Sequence, residues 1–395
     1  MPSLYLLVFG LVGILTLITM VRSQLDKPAY VIGFSAMTLL LVLRFGQGTD
    51  YPGYMYIYEM TNMLFDPKDG FGAYMTRIHS EIGWKFLMIF FQLLKTDFRV
   101  VVIILSLSIM WCTNLGINRF CEKHKTLALF ILYPTIYLTY YFSAMRQGIA
   151  MAIFFGVLLD KLLKKNYVQY IIGVILISTI HSASLCYLIL PIALKINKKT
   201  FGICIVSGVL FSIAMIFDPI REVIKNIAVM AGASAGYFGT ISLNWFSLVE
   251  RTLMLSVIIV LISRYKDNCD AMNRIAPILR IYIIGFLVYI CLFTNAFVSS
   301  RLAAMFKMSE FILIPMMIEE IEKKVKYIYV ICLVCITSLI VYKNMNSYVA
   351  QGKYYESING WNFPYVTIFN KEDILKYREE FTNDSVGFKE SDYLK

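Results

Sequence analysis

Three short clusters in this 395-residue chain put cations, carboxylates and hydroxyls at spacings that could hold a phosphorylated group and move a proton. The first is Arg44-Phe45-Gly46-Gln47-Gly48-Thr49-Asp50-Tyr51-Pro52-Gly53-Tyr54. An arginine offers phosphate a planar, paired set of donors, an aspartate can accept a proton, and tyrosine rings suit sugar faces. The second is Ser143-Ala144-Met145-Arg146-Gln147-Gly148. With Ser143 as N-cap, Arg146 and Gln147 fall in the first helical turn, where free N–H groups and the macrodipole favour an anion. An arginine there opposes the dipole, and an anion lying between them would resolve the conflict. Gly148 and Ala152 give that helix a small face for close packing. The third is Ile180-His181-Ser182-Ala183-Ser184, which holds one of three histidines.

Each residue also has a plain structural reading. Arg44 could be a snorkelling side chain above a Gly/Pro turn. Glu81, in Ser80-Glu81-Ile82-Gly83-Trp84, suits a first helical turn with Ser80 as its cap. Arg301, after Ser299-Ser300, is open to the same anion argument as Arg146, more weakly. Lys307 and Glu310 could neutralise each other at i,i+3. Glu250, Arg251 and Arg280 read as structural charges. No second His, Cys or carboxylate lies at ligand spacing from His181, so no metal site is expected.

What must position these groups follows from composition. Hydrophobic residues make up 58% and charged residues only 16%, with a mean hydropathy of +0.67, against about 25% charged in soluble domains. The apolar residues cluster into runs long enough for a hydrocarbon core, which takes about 20 helical residues. The runs do not alternate, which excludes a β-barrel, and lipid leaves backbone groups no other partner, so they must be helices. The reading is an all-α, polytopic integral membrane protein with about 11–13 transmembrane or re-entrant helices. Apolar stretches fall at 4–21, 30–43, 82–98, 100–117, 126–142, 144–160, 168–194, 201–217, 246–263, 275–293, 302–318 and 327–342. The net charge of +11 sits in short clusters between these runs, which points to cytoplasmic loops and away from nucleic acid. The cysteines lie mostly within apolar runs and read as packing residues. The N-terminus has no basic n-region or cleavage site, so it reads as a retained first helix.

Four loops with three basic residues each should face the cytoplasm: Lys161/Lys164/Lys165, Lys195/Lys198/Lys199, Arg264/Lys266/Arg274 and Lys323/Lys324/Lys326. The transmembrane domain would then be 1–342. Loops 44–81 and 218–245 would rest on the opposite membrane surface, and a soluble tail, 343–395, would lie on that side too. Two constraints follow. The 168–194 stretch has basic loops at both ends, so it must dip in and return, breaking near His181-Ser182-Ala183-Ser184. Three apolar segments separate Glu81 from Ser143 where an even number of crossings is needed, and Tyr133-Pro134 marks 126–142 as the candidate re-entrant one.

The residues occur in a recognisable order. Arg…Gly-Thr-Asp-Tyr-x-x-Tyr (Arg44 to Tyr54) comes first, then Glu-x-Gly (Glu81 to Gly83), Arg-Gln-x-x-Ala (Arg146 to Ala150), a lysine-rich loop and His-Ser-x-Ser (His181 to Ser184). This order resembles the EpsG-like branch of the Wzy polysaccharide polymerases, as do the late Arg301 and a Phe363-Pro364-Tyr365 tail element. Ile180 stands where that family typically has phenylalanine. The resemblance implies a GT-C-like architecture in the cytoplasmic (inner) membrane, with chemistry at its outer face. It also implies that undecaprenyl-pyrophosphate-linked oligosaccharide repeat units are joined there, and that a chain-length regulator protein is a partner. In that chemistry Arg146, Arg301 and Arg44 would meet the leaving group's charge, with Gln147 beside them. His181, Asp50 and Glu81 would be candidate proton acceptors, and Tyr51 and Tyr54 would contact sugars. No DxD-like motif occurs near the outer face, so a metal-independent reaction without a cofactor is expected. A lipid-linked glycan ligase would use the same donor. A flippase or transporter would also explain intramembrane arginines but should show internal repeats, and none is found.

Overall fold

The computed structural model describes residues 2–65, 70–230, 242–263, 269–319, 321, 323–352 and 354–378. The stretch from Ala231 to Gly239, the basic residues Arg264 and Lys266, and the tail beyond Arg378 lie outside the described residues. Among those described, the chain is helical with no β-strand. Seven helices are long and apolar enough to cross a membrane, or eight if one bent pair is a single span. The all-α polytopic architecture is therefore what forms. All twelve apolar stretches become helix, although several are too short or too broken to cross alone.

The chain opens with a packed pair, α1 (Leu4–Val21) and α2 (Asp26–Val42), and two short helices follow in the polar loop, α3 (Tyr51–Glu59) and α4 (Gly70–Arg77). Next come α5 (Ile82–Leu93), α6 (Phe98–Phe120) and α7 (Lys125–Leu132). The last of these continues as a π-helical segment to Ser143. This 125–143 helix is the centre of the bundle, 94% buried across its apolar window, as a helix apolar on all sides should be. Its start is capped from outside, because Asp26 accepts from the Lys125 N–H (2.9 Å) and the Thr126 N–H (3.1 Å). Three tyrosines spaced by four tie it to its neighbours. Tyr133 donates to Tyr5 O (2.7 Å) and Tyr137 to Met37 O (2.6 Å), while Tyr141 bonds to the Thr113 hydroxyl (2.8 Å).

Pro134 does not turn this segment back. The π turns absorb its missing N–H. Asn344 Nδ2 donates to Pro134 O (2.7 Å) and the Tyr348 hydroxyl to Leu138 O, so neighbouring side chains satisfy the loosened carbonyls. The segment that fails to cross is instead 82–98. Twelve residues of α5 extend only about 18 Å; its start meets the break of the 167–194 stretch and its far end returns to the polar loop. At the start Gly83 N donates to Thr179 O (2.7 Å); near the end Gln92 Nε2 donates to Asn62 Oδ1 (2.6 Å). By length, then, 82–98 and not 126–142 is the apolar segment that falls short of a full crossing.

Beyond Ser143 come α8 (Met145–Ile153) and α9 (Leu159–Leu163), joined through a π turn, and then α10 (Tyr167–Ser178). A 3-10 stretch, Ser182–Ile189, leads into α11 (Leu190–Ala193). The break falls at Thr179–His181, where His181 is extended (φ −147, ψ 107). Lys165 and Tyr167 from one end line the same cleft as Leu194 and Lys195 from the other, so the stretch dips in and returns.

The second half holds α12 (Lys198–Ala214), α13 (Asp218–Met230), α14 (Trp245–Ile262), α15 (Cys269–Cys291), α16 (Ala296–Lys307), α17 (Glu310–Glu319) and α18 (Lys323–Gln351). Arg280 donates to Leu194 O and Ile196 O, Arg274 pairs with Glu122 and Glu319, and Lys326 donates to Glu319 O. The four basic clusters are thereby gathered at one end, the third represented by Arg274. α13 bends 109° from α12 and shows exposed Ile220, Val223 and Ile227 on one face, the shape of a helix lying on a membrane surface. The expected span 302–318 is broken at Met308-Ser309, so Lys307 and Glu310 do not pair; Lys307 pairs with Glu250. α18 runs to Gln351, past the expected boundary at 342. The described part of the tail folds back onto the 44–50 loop. Phe45 N donates to Val366 O and Gln47 Nε2 to Pro364 O, and Phe363 packs among Tyr5, Tyr348 and Tyr354.

Candidate functional site

Three glycine contacts bring the separate clusters together. Gly48 has φ +108, open to glycine at little cost, and a Cβ there would lie 2.8 Å from Phe142 O. That close approach lets the Thr49 N–H donate to Ser143 Oγ (2.8 Å) and sets the two hydroxyls 2.6 Å apart. Ser143 thus holds the 44–54 loop. The expected N-cap position belongs to Ala144, which makes no side-chain cap. Gly83 does the same for α5: a Cβ would lie 2.8 Å from Thr179 O, at the break of the 167–194 hairpin. Gly148 lets α8 press on Tyr140 O, which a Cβ would approach to 2.6 Å.

The result is a junction of three segments. Arg146, in the first turn of α8 as the sequence indicates, pairs with Glu81 and donates to Ser80 Oγ (3.1 Å). Ser80 therefore accepts from Arg146, and the N-cap position of α5 is taken by Glu81. The second carboxylate oxygen of Glu81 accepts from Ser182 N (3.2 Å) and Ser182 Oγ (3.3 Å) and lies 3.7 Å from His181 Nδ1. Burial opposes the charge on Glu81, but Arg146 and the Ser182 N–H outweigh it and hold the carboxyl below its ordinary range. The dipole conflict at Arg146 is thus met in part by a carboxylate of the chain itself.

In front of this junction opens a cleft of about 510 Å³ lined by Thr49, Asp50, Tyr54, His79, Arg146 and Arg301. The Tyr54 ring lies 5.5 Å from the Arg146 guanidinium carbon, and its hydroxyl reaches Asp50 at 3.4 Å. Arg301 stacks on Phe297 (4.0 Å), and its carbonyl accepts from Gln147 Nε2 (2.8 Å). Gln147 is buried, so it fixes the approach of α16 to α8. His79 was not among the residues singled out from the sequence. Its place two residues before Glu81, in a polar loop, was the available signal.

Five expected site residues do not line this cleft: Glu81 and Gln147, which hold the helices around it, and Arg44, Tyr51 and His181. Arg44 is fully buried; it donates to Leu41 O, Ser106 Oγ (3.1 Å) and Tyr141 O (3.4 Å) and lies over Phe142 (4.8 Å). It therefore ties α2, α6 and the central helix together and does not reach the cleft. Tyr51 faces a different cavity of about 540 Å³, with Tyr58, Gln92 and Arg99. His181 lies behind Glu81, its ring nitrogens buried, and is not among the cleft's lining residues.

Helices of membrane-crossing length around a polar, arginine-lined cleft define a multi-pass membrane protein. The chain belongs to the EpsG family, whose model matches residues 28–366. Membership gives it a polysaccharide polymerase-type function, a glycosyltransferase-like activity in general terms. No curated protein and no solved structure matches it.

Proposed function

We propose that the protein polymerises undecaprenyl-pyrophosphate-linked oligosaccharide repeat units at the outer face of the cytoplasmic membrane. The carrying observation is that Arg146, Arg301 and Asp50 share one cleft, at the end of the bundle away from the gathered basic loops. An acceptor hydroxyl oxygen attacks C1 of the donor's reducing-end sugar. The bond from C1 to the pyrophosphate oxygen breaks, and the lipid diphosphate leaves with the electron pair. Arg146 and Arg301 stabilise the charge developing on that leaving group, where fixed donors are worth most. The hydroxyl proton goes to a base. Asp50 lines the cleft and has no cation within ion-pair distance among the described residues, whereas Glu81 is held by Arg146 and Ser182. Asp50 is therefore the proposed acceptor, with Glu81 and His181 as residues that position Arg146. Tyr54, buried between Trp84 and Arg146, steadies the guanidinium instead of offering its ring to a sugar. Metal independence and a chain-length regulator as partner belong to the same proposal.

The test is deletion of the gene followed by a gel of surface glycans. Loss of the long ladder with single repeat units retained supports a polymerase. Loss of all repeat units points to a flippase or ligase and rejects this reading.

A further inference from the structure

A second cavity of about 300 Å³ shares Thr49, Asp50 and Arg301 with the first and runs from there into the bundle. Its inner wall comes from α14, α16 and α18. Glu250, Arg251 and Lys307 line it and are each nearly buried, at 6%, 7% and 6% exposure. Lys343 and Asn344 complete it from α18.

The charges do not balance. Arg251, Arg301, Lys307 and Lys343 line the cavity against two carboxylates, Asp50 and Glu250. Glu250 pairs with Lys307 and lies 3.7 Å from Lys343, so one carboxylate serves two lysines. Arg251 rests on the Tyr289 ring (4.3 Å) and Arg301 on Phe297 (4.0 Å); among the described residues neither has a carboxylate within ion-pair distance. Glu310, buried just beyond Lys307, leaves cations in excess even when counted. Ionised groups at membrane depth are costly and mark functional sites. A walled cavity with an excess of cations focuses its field on anions, and several donors in a dry site suit a multiply charged phosphate.

We infer that this cavity binds the pyrophosphate of a second lipid-linked substrate, so that two such groups flank Asp50. The inference rests on the polymerase reading, because a reaction joining two lipid-linked units must hold two lipid pyrophosphates at once. The wall shared by the two cavities then places the donor's C1 and the acceptor's hydroxyl on either side of Asp50.

The experiment counts undecaprenyl pyrophosphate bound to purified protein in nanodiscs by native mass spectrometry. Wild type should bind two equivalents. R251Q/K343Q and R146Q should each bind one, and the triple variant none. R251K and K343R, which keep the charges, should bind two and show that the loss does not come from misfolding; R251Q alone serves if the double variant does not purify. Inorganic pyrophosphate should compete at both sites. Wild-type binding of a single lipid, or two lipids retained by R251Q/K343Q, would overturn the inference. So would inorganic pyrophosphate filling the second cavity while the lipid does not, since the ligand would then be a free anion. Polymer formation does not enter this readout. Two bound lipids with no polymer would sink the polymerase reading and leave the second site standing.

Discussion

Glu81 and Arg146, 65 residues apart in sequence, form an ion pair in which each side chain is about one-fifth exposed (21% and 24%). The pair closes a joint between the start of α5 and the first turn of α8; Ser80, beside Glu81, adds a second contact to Arg146, and Ser182 brings in a third segment. A joint of this kind fixes an arginine in the cleft.

Replacing Arg146 with Ala should lower polymerisation by about 10²–10³-fold, the loss typical of removing one charge-stabilising donor. Lysine should rescue poorly because it lacks the paired fork. The charge-swapped double variant E81R/R146E should restore protein level but not polymer. Glycan gels normalised to membrane protein read all three, and full activity in R146A would end the assignment.

Asp50→Asn should cost about 10²–10⁴-fold in rate if Asp50 takes the acceptor proton. His181→Gln should keep activity within tenfold, since a glutamine can still lie against Glu81. Initial rates in proteoliposomes decide between them. The reverse pattern would move the proton acceptor to His181.

Arg44 is buried among backbone carbonyls, so R44M should destabilise the protein by leaving buried acceptors unsatisfied, about 1–3 kcal/mol for each. Activity should fall in step with the amount of folded protein, and the surviving fraction should show an unchanged KM. A raised KM at normal thermal stability would return Arg44 to substrate binding.

Gly83→Ala would bring a Cβ within 2.8 Å of Thr179 O. Overpacking of this kind costs about 1–3 kcal/mol, and relief by sliding α5 outward would pull Glu81 from Ser182. A lower melting temperature together with lost polymer is expected. A variant with wild-type melting and polymer would show that this contact does not set the joint.

Lys164 and Asn359 should lie on opposite sides of the membrane, the lysine with the gathered basic loops and the asparagine with the tail segment that covers the 44–50 loop. Single-cysteine variants labelled in whole cells with an impermeant reagent should react at 359 and not at 164. Labelling at 164 alone would invert the topology and remove the cleft from the outer face.

Much of this was legible in the chain itself. Lipid offers no partner to a bare N–H, so long apolar runs had to be helices, and basic residues at both ends of 168–194 required that stretch to turn back near His181. Arg146 could be placed in a first helical turn from its neighbours alone. Whether the 126–142 helix breaks at Pro134 could not be read that way. Pro134 looked like a break, but Asn344 and Tyr348, some 210 residues further on, satisfy the carbonyls its π turns loosen. Arg44 and Arg146 likewise both read as anion-binding arginines in the sequence. One is enclosed by Leu41, Ser106 and Tyr141 and the other opens to a cleft, because glycine contacts at Gly48, Gly83 and Gly148 set which backbones meet. Local chemistry determined what each residue was able to do; packing between distant segments decided which of them do it together.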